Sequence, residues 1–239
     1  MTRIASMIWY WSLPILPFTA IITFILTLVV CSQVLHNPRP GGDFPQISLL
    51  GIGPAYKYFL SGFVILSLQL LLILIGRLQF LCHSQFIIHR TILYIIHAIA
   101  LVSAVFLLIM AIVSLDDDRR LHVIGAFGMF GFLSLYGLLH TIVAFYLFIR
   151  RSAAPQHSNI LWPLWFLICS ILLIVFSSIW VVKDKTVPQY IAAAMPFLYL
   201  LAFVPQFWMQ ARIKRQDNAL TTQVRHSDEM NLFTAAQKL

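Results

Sequence analysis

The chain is a succession of six long apolar runs divided by polar or helix-breaking segments. The runs are Ile8 to Val30, Tyr56 to Gly76, Thr91 to Leu115, His122 to Ile149, Ile160 to Val182 and Pro188 to Met209. Each approaches or exceeds the roughly 20 residues a helix needs to cross a bilayer. The runs are continuous and lack the alternation of barrel strands. Lipid admits only helices and closed barrels, because nothing else satisfies the backbone there. The pattern therefore predicts an all-α fold, a six-transmembrane-helix bundle. The first run is too long for the apolar core of a secretory signal, and no small-residue cleavage site follows it. It is expected as a retained helix.

The breaks between runs are uneven. The longest, Cys31 to Ala55, carries Pro38, Pro40, Gly41, Gly42, Pro45, Gly51, Gly53 and Pro54, which forbid a long helix. It also carries Phe44, Ile47, Leu49, Leu50 and Ile52, which a solvated linker would not need. This first loop is expected to fold back as a cap on the helix ends. The other connections are short, so consecutive helices are expected as antiparallel neighbours. Residues 1–210 read as one membrane domain, and 211–239 as a polar, flexible tail.

Composition strengthens this picture. Apolar residues make up 60% of the chain and charged residues 10%. A soluble domain of that composition could not clothe its own surface. The net charge of +8 would suggest nucleic acid in a soluble chain. Here Lys and Arg read as topological anchors, and no nucleic acid is expected.

With six spans both termini share a side. That side holds Arg3, Arg77, Arg90, Arg150, Arg151, Arg212, Lys214, Arg215, Arg225 and Lys238 against three acids, a net of +7. The other side holds Arg39, Lys57, Arg119, Arg120, Lys183 and Lys185 against five acids, a net of +1. The termini are accordingly expected in the cytosol and the cap in the lumen. Arg150 with Arg151, and Arg212, Lys214 and Arg215, are candidate contacts for anionic lipid.

Polar groups inside the runs are few. Pro14, Pro17, Pro196 and Pro205 should kink the first and sixth helices. Gly125, Gly128, Gly131, Ser134 and Gly137 form a small-residue stripe, read first as packing within the bundle and alternatively as a homo-oligomer seam. His97 and His140 are expected to face the interior, as structural hydrogen-bonding groups or as a proton relay or metal pair. Gln69 and Gln206 are expected to bond between helices. No run contains Asp or Glu, which argues against an ion-coupled pump.

Cys31, Cys82 and Cys169 are placed at a luminal helix end, in a cytosolic loop and in mid-membrane, so no disulfide framework is expected. No pattern asks for a cofactor or a metal. One luminal cluster has candidate catalytic chemistry: Asp116, Asp117 and Asp118 precede His122, and carboxylate beside imidazole is acid–base material. Helix termination is the simpler reading of the same residues.

Three fragments resemble the damage-regulated autophagy modulator (DRAM) superfamily. They are Leu13-Pro14-Ile15-Leu16-Pro17, Pro45-Gln46-Ile47-Ser48-Leu49-Leu50-Gly51, and Leu121-His122-Val123-Ile124-Gly125-Ala126 followed by Tyr136-Gly137. Leu49 stands where many members carry Asp after the Ser, so this chain lacks that acid. The superfamily also includes the post-GPI-attachment lipid-remodelling factor and related fungal membrane proteins. The resemblance implies six helices in the lysosome, Golgi, ER or plasma membrane, and effects on autophagy, GPI-anchor lipids or phosphoinositide signalling. The leading expectation is a non-enzymatic regulator whose partners are membrane lipids or another membrane protein. The alternative is GPI-anchor lipid remodelling at the luminal His122 cluster.

Overall fold

A computed structural model describes residues 3–35, 45–82, 88–152 and 157–216. The helices are α1 (Arg3–Ser12), α2 (Leu16–Val34), α3 (Tyr56–Cys82), α4 (Arg90–Ile112), α5 (Arg119–Ile149), α6 (Leu161–Lys183), α7 (Thr186–Leu201) and α8 (204–216). Two 3-10 turns, Ile47–Gly51 and Gly53–Ala55, precede α3. No strand occurs among the described residues. Six helical segments are long and apolar enough to cross a membrane, with α7 and α8 together making the sixth. Consecutive spans pack as neighbours, and α2 meets α7 to close the bundle.

The outside is apolar, and the interior sets a number of enclosed polar groups in an apolar core. Ile142 is 63% exposed and Leu68 58%, whereas Arg77 and His140 are each 1% exposed. Lipid inverts the usual arrangement, because apolar side chains lose nothing against acyl chains while polar ones need protein partners.

The first apolar run is not one helix. Pro14 and Pro17 separate α1 from α2 rather than bending a single span. Pro14 has no N–H to continue α1, the chain turns with Ile15 N–H donating to Ser12 O at 3.0 Å, and Pro17 sits in the first turn of α2, where a missing N–H costs nothing. Only α2 crosses. α1 instead lies across the ends of α3 and α8. Trp9 Nε1 donates to Gln79 Oε1 at 2.8 Å, and Trp11 meets Trp208 edge to face at 5.1 Å. Leu13 is fully buried against Gly76, whose bare Cα leaves it room.

The sixth run breaks at Ala202 and Phe203, not at Pro196, which α7 absorbs. Pro205 explains the position, since its ring clashes with the carbonyl four residues back, at Leu201. Past the break α8 runs to 216, so residues 211–216, expected in the tail, are helical. Cys82, expected in a loop, ends α3.

The small-residue stripe works within the chain. A Cβ on Gly125 would stand 2.9 Å from Met110 N, and one on Gly128 2.4 Å from Phe106, both on α4. Ser103 Oγ donates to Met129 O at 2.8 Å across the same contact. A step of three residues falls about 60° short of a full turn, so the stripe winds around α5. Gly131 accordingly meets nothing, and Gly137 faces Ser170 of α6.

The predicted cap is present where the chain is described. Ile47 and Leu50 are buried. Ile47 N–H donates to Gln189 Oε1 at 3.0 Å, Gln46 Nε2 to Asp184 Oδ1 at 2.8 Å and Tyr190 Oη to Pro45 O at 3.1 Å. Leu49, the other way, is exposed, and Phe44 lies outside the described residues. Cys31, at the start of this loop by sequence, belongs to α2 and is buried against Ala55 O.

Candidate functional site

Arg77 is the least expected residue in the fold. It sits five residues inside α3, about 8 Å from its end, and is fully enclosed. Its Nε donates to His140 Nε2 of α5 at 2.9 Å, and its Nη1 donates to Gln206 Oε1 of α8. The guanidinium carbon lies 4.6 Å from the centre of the Phe203 ring, 5.3 Å from Phe80 and 5.7 Å from Phe166. Among the described residues no carboxylate pairs with it. A desolvated cation is costly, and here ring faces and two neutral acceptors take the place of a counter-ion.

Arg77 also sets every proton in the chain beyond it. Arginine only donates, so His140 Nε2 must accept, and His140 is neutral with its proton on Nδ1. That N–H donates to Tyr199 Oη of α7 at 2.5 Å. Tyr199 in turn donates to Gly137 O at 3.4 Å. A Cβ on Gly137 would lie 2.8 Å from Ser170 Oγ, so the hydroxyl would have to turn aside. One polar line thus ties α3, α8, α5 and α7, with Phe166 of α6 packed on His140 at 5.0 Å.

Beside Arg77, His157, Asn159 and Trp162 border a void of about 10 Å³, the size of one water. His157 stands edge-on to Phe80 at 5.4 Å. Burial, and then the Arg77 charge, push its pKa down to about 4.

Deeper in the bundle Tyr136 stands between the two histidines, 5.5 Å from His140 and 5.8 Å from His97 by ring centres. His97 Nδ1 donates to Leu93 O of its own helix at 2.8 Å. The two histidines therefore do not bond each other. Tyr136 Oη and His97 Nε2 are buried without a partner, as is Gln69 Oε1, contrary to the interhelical bond expected of Gln69. Gln206 does bond between helices. No group of three or more His, Cys, Asp or Glu side chains that could hold a metal occurs among the described residues.

The His122 cluster lies at the other, capped end. His122 is 2% exposed, and its Nδ1 donates to Val113 O at 2.7 Å. Its Nε2 is buried and without a partner. Asp118 caps α5 by accepting from Leu121 N–H at 3.0 Å, and Asp116 N–H donates to Ser114 Oγ at 3.4 Å. His122 N–H donates to Asp118 O at 3.0 Å, but no described hydrogen bond joins its ring to Asp116, Asp117 or Asp118. Ser114 Oγ, in turn, reaches Gly51 O of the cap at 3.5 Å.

The basic candidates lie at the terminal end. Arg150, Arg151, Arg212 and Arg215 are exposed, and Lys214 is partly so. Arg151 covers Phe148 at 4.9 Å and Arg212 covers Trp208 at 5.4 Å. Arg77, counted with them as a topological anchor by sequence, is not one. Its own surroundings gave the signal: the apolar run does not stop at Arg77 but continues through Leu78, Phe80 and Leu81. Tyr136, one turn before His140, was legible in the same way, as a polar pair on one helix face.

Against known families, the Frag1/DRAM/Sfk1/Cwh43P N-terminal domain matches residues 8–210. The chain belongs to this family. The match covers every membrane-crossing helix and ends inside α8. It includes Arg77, His140 and Gln206 as well as the cap and His122, so both ends of the bundle are parts of the family domain. No curated protein and no solved structure matches the chain.

Proposed function

We propose that this member of the family is a non-enzymatic multi-pass membrane protein that organises or regulates membrane lipids, with its cap in the lumen and its termini in the cytosol. The observation that carries the reading is the state of His122. A general acid or base must reach the proton it moves. His122 is enclosed, spends Nδ1 on Val113 O and has no carboxylate bonded to its ring. It serves to hold the end of α4 against the start of α5. The exposed arginines at the terminal end suit anionic headgroups. The family resemblance points the same way, toward autophagy, GPI-anchor lipids or phosphoinositide signalling.

GPI-anchor lipid remodelling is the second reading, and one observation favours it. In the neutral ring the bond to Val113 O places the proton on Nδ1 and a lone pair on Nε2, and Nε2 has no partner. The test is His122→Ala in cells lacking the wild-type chain, followed by lipid analysis of GPI-anchored proteins. The regulatory reading expects a less stable protein and GPI lipids processed as before. A stable, abundant His122→Ala protein with unprocessed GPI lipids would establish catalysis instead.

A further inference from the structure

The capped half of the bundle holds a partly open cavity of about 120 Å³. Its walls are apolar, built by residues such as Leu66, Leu107, Phe130 and Leu173. Tyr136, Gly137 and Tyr199 close its floor, and Ile47, Ser48 and Gln189 form its roof. Along α3 the lining runs from Phe63 to Leu74, and along α5 from Ala126 to Gly137. Each stretch rises about 16 Å. Half of a roughly 30 Å hydrocarbon core is nearly the same length.

The roof is built to bind. Gln189 is 3% exposed and Ser48 7%. The cap takes Gln189 Oε1 through Ile47 N–H, which fixes the amide's orientation. No hydrogen bond among the described residues engages Gln189 Nε2 or Ser48 Oγ, though both side chains line the cavity. Both donors keep accessible surface at the cavity, so a ligand that supplies an acceptor there is favoured over one that does not. The roof also lies at the end of the membrane spans, the level at which a lipid's ester carbonyl sits. On one side Phe24, only partly buried, lines the cavity and packs on Phe197 at 4.8 Å. Its ring stands between the cavity and the surrounding lipid.

We propose that the cavity holds one acyl chain of a glycerolipid from the cap-side leaflet. The chain threads past Phe24, its ester carbonyl accepts from Gln189 Nε2 and Ser48 Oγ, and its methyl end rests on Tyr136. The proposal rests on the lipid reading above for the source of the chain, and its geometry stands apart from His122.

The test uses the full chain in phosphatidylcholine vesicles doped with a phosphatidylcholine whose acyl chain bears a diazirine. After irradiation, adducts are mapped by peptide mass spectrometry. Adducts on Leu66, Leu107 and Leu173 are expected, because all three are buried and bulk lipid does not reach them. Ala104→Phe, which fills the cavity, should remove these adducts and leave those on outward Ile65, Val105 and Ile171. Should that variant not fold, Ser48→Ala decides: interior labelling falls about fivefold, the worth of one hydrogen bond. Adducts confined to outward residues would overturn the proposal, as would interior labelling by a diazirine fatty acid but not by the glycerolipid. Interior labelling in a protein whose loss leaves cellular lipids unchanged would uphold the site and sink the proposed function.

Discussion

The Arg77–His140 pair makes the most demanding prediction, because its two partners are unequal. His140→Phe keeps an aromatic ring among Phe166, Tyr199 and Phe203. It leaves the Arg77 Nε–H unpaired in a sealed site. A buried donor left without its acceptor costs about 1–3 kcal/mol, and more when it belongs to a charged group. Arg77→Met instead removes the charge and strands two neutral acceptors, His140 Nε2 and Gln206 Oε1, at about 1–3 kcal/mol each. Part of that cost is returned, since the cation no longer needs to be desolvated. The double variant lacks both the stranded cation and the stranded imidazole. Only Gln206 Oε1 remains, at about 1–3 kcal/mol. The double variant should therefore be more stable than His140→Phe alone, and the cycle should show a coupling of about 2 kcal/mol or more. Unfolding by SDS titration in mixed micelles measures all four proteins. Additivity within about 0.5 kcal/mol would refute the claim that His140 answers the Arg77 charge.

Three further outcomes follow from the same geometry. Gly125→Ala should destabilise the bundle by about 1–3 kcal/mol, since its Cβ meets the Met110 backbone, whereas Gly131→Ala, with nothing in reach, should be neutral or stabilising by up to about 1 kcal/mol; equal effects in thermal unfolding would undo the intramolecular reading of the stripe. His157 is neutral when folded down to a pH of about 4, against 6.5 for an ordinary imidazole. Between those values the unfolded chain binds the extra proton, so stability is full above about pH 6.5 and falls on acidification toward pH 4, by up to about 1.4 kcal/mol per pH unit. His157→Asn should flatten that fall, and an unchanged pH profile would count against its burial beside Arg77. Gln189→Leu strands the Ile47 N–H and should speed hydrogen exchange at Leu49 and Leu50 while the helices stay protected; unchanged exchange in the cap would show that Gln189 does not hold it.

The fold was readable because each helix carries its own evidence. A continuous apolar run reports a crossing without knowledge of any partner, and α5 begins at Arg119 where the run begins at His122. The cap was readable because Ile47 and Leu50 had no other reason to be apolar. The breaks were only half readable. Proline marks where a helix loses a hydrogen bond, but whether the chain bends or turns away depends on what the loosened piece can pack against. For α1 that partner is Gln79 and Trp208, which lie far away in sequence.

The Arg77 site was the least readable part, and the reason is physical. A positive residue near a helix end is ordinarily an anchor, because its long side chain reaches the interface at little cost. Burying it becomes affordable only when the acceptors come from other helices. Those acceptors, His140 and Gln206, lie 63 and 129 residues away, and no local pattern joins them. Setting Arg77 aside leaves nine basic residues against six in the orientation argument, with the same sign as before.

The two halves of the interior also differ in kind. At the terminal end Arg77, His140 and Tyr199 each meet a partner, and the void beside them is no larger than a water. At the capped end Gln189 Nε2 and Ser48 Oγ stand unengaged, and the void is roughly tenfold larger. A close-packed core tolerates few spaces of that size. Stability alone would favour filling it, since each missing contact forfeits dispersion energy. The Arg77 end reads as the frame that ties α3, α5, α7 and α8, although Gln210 of α8 keeps a buried amide without a partner there. The capped end is the one with room left to bind, and this difference in void is why the ligand is sought beneath the cap rather than around the more conspicuous arginine.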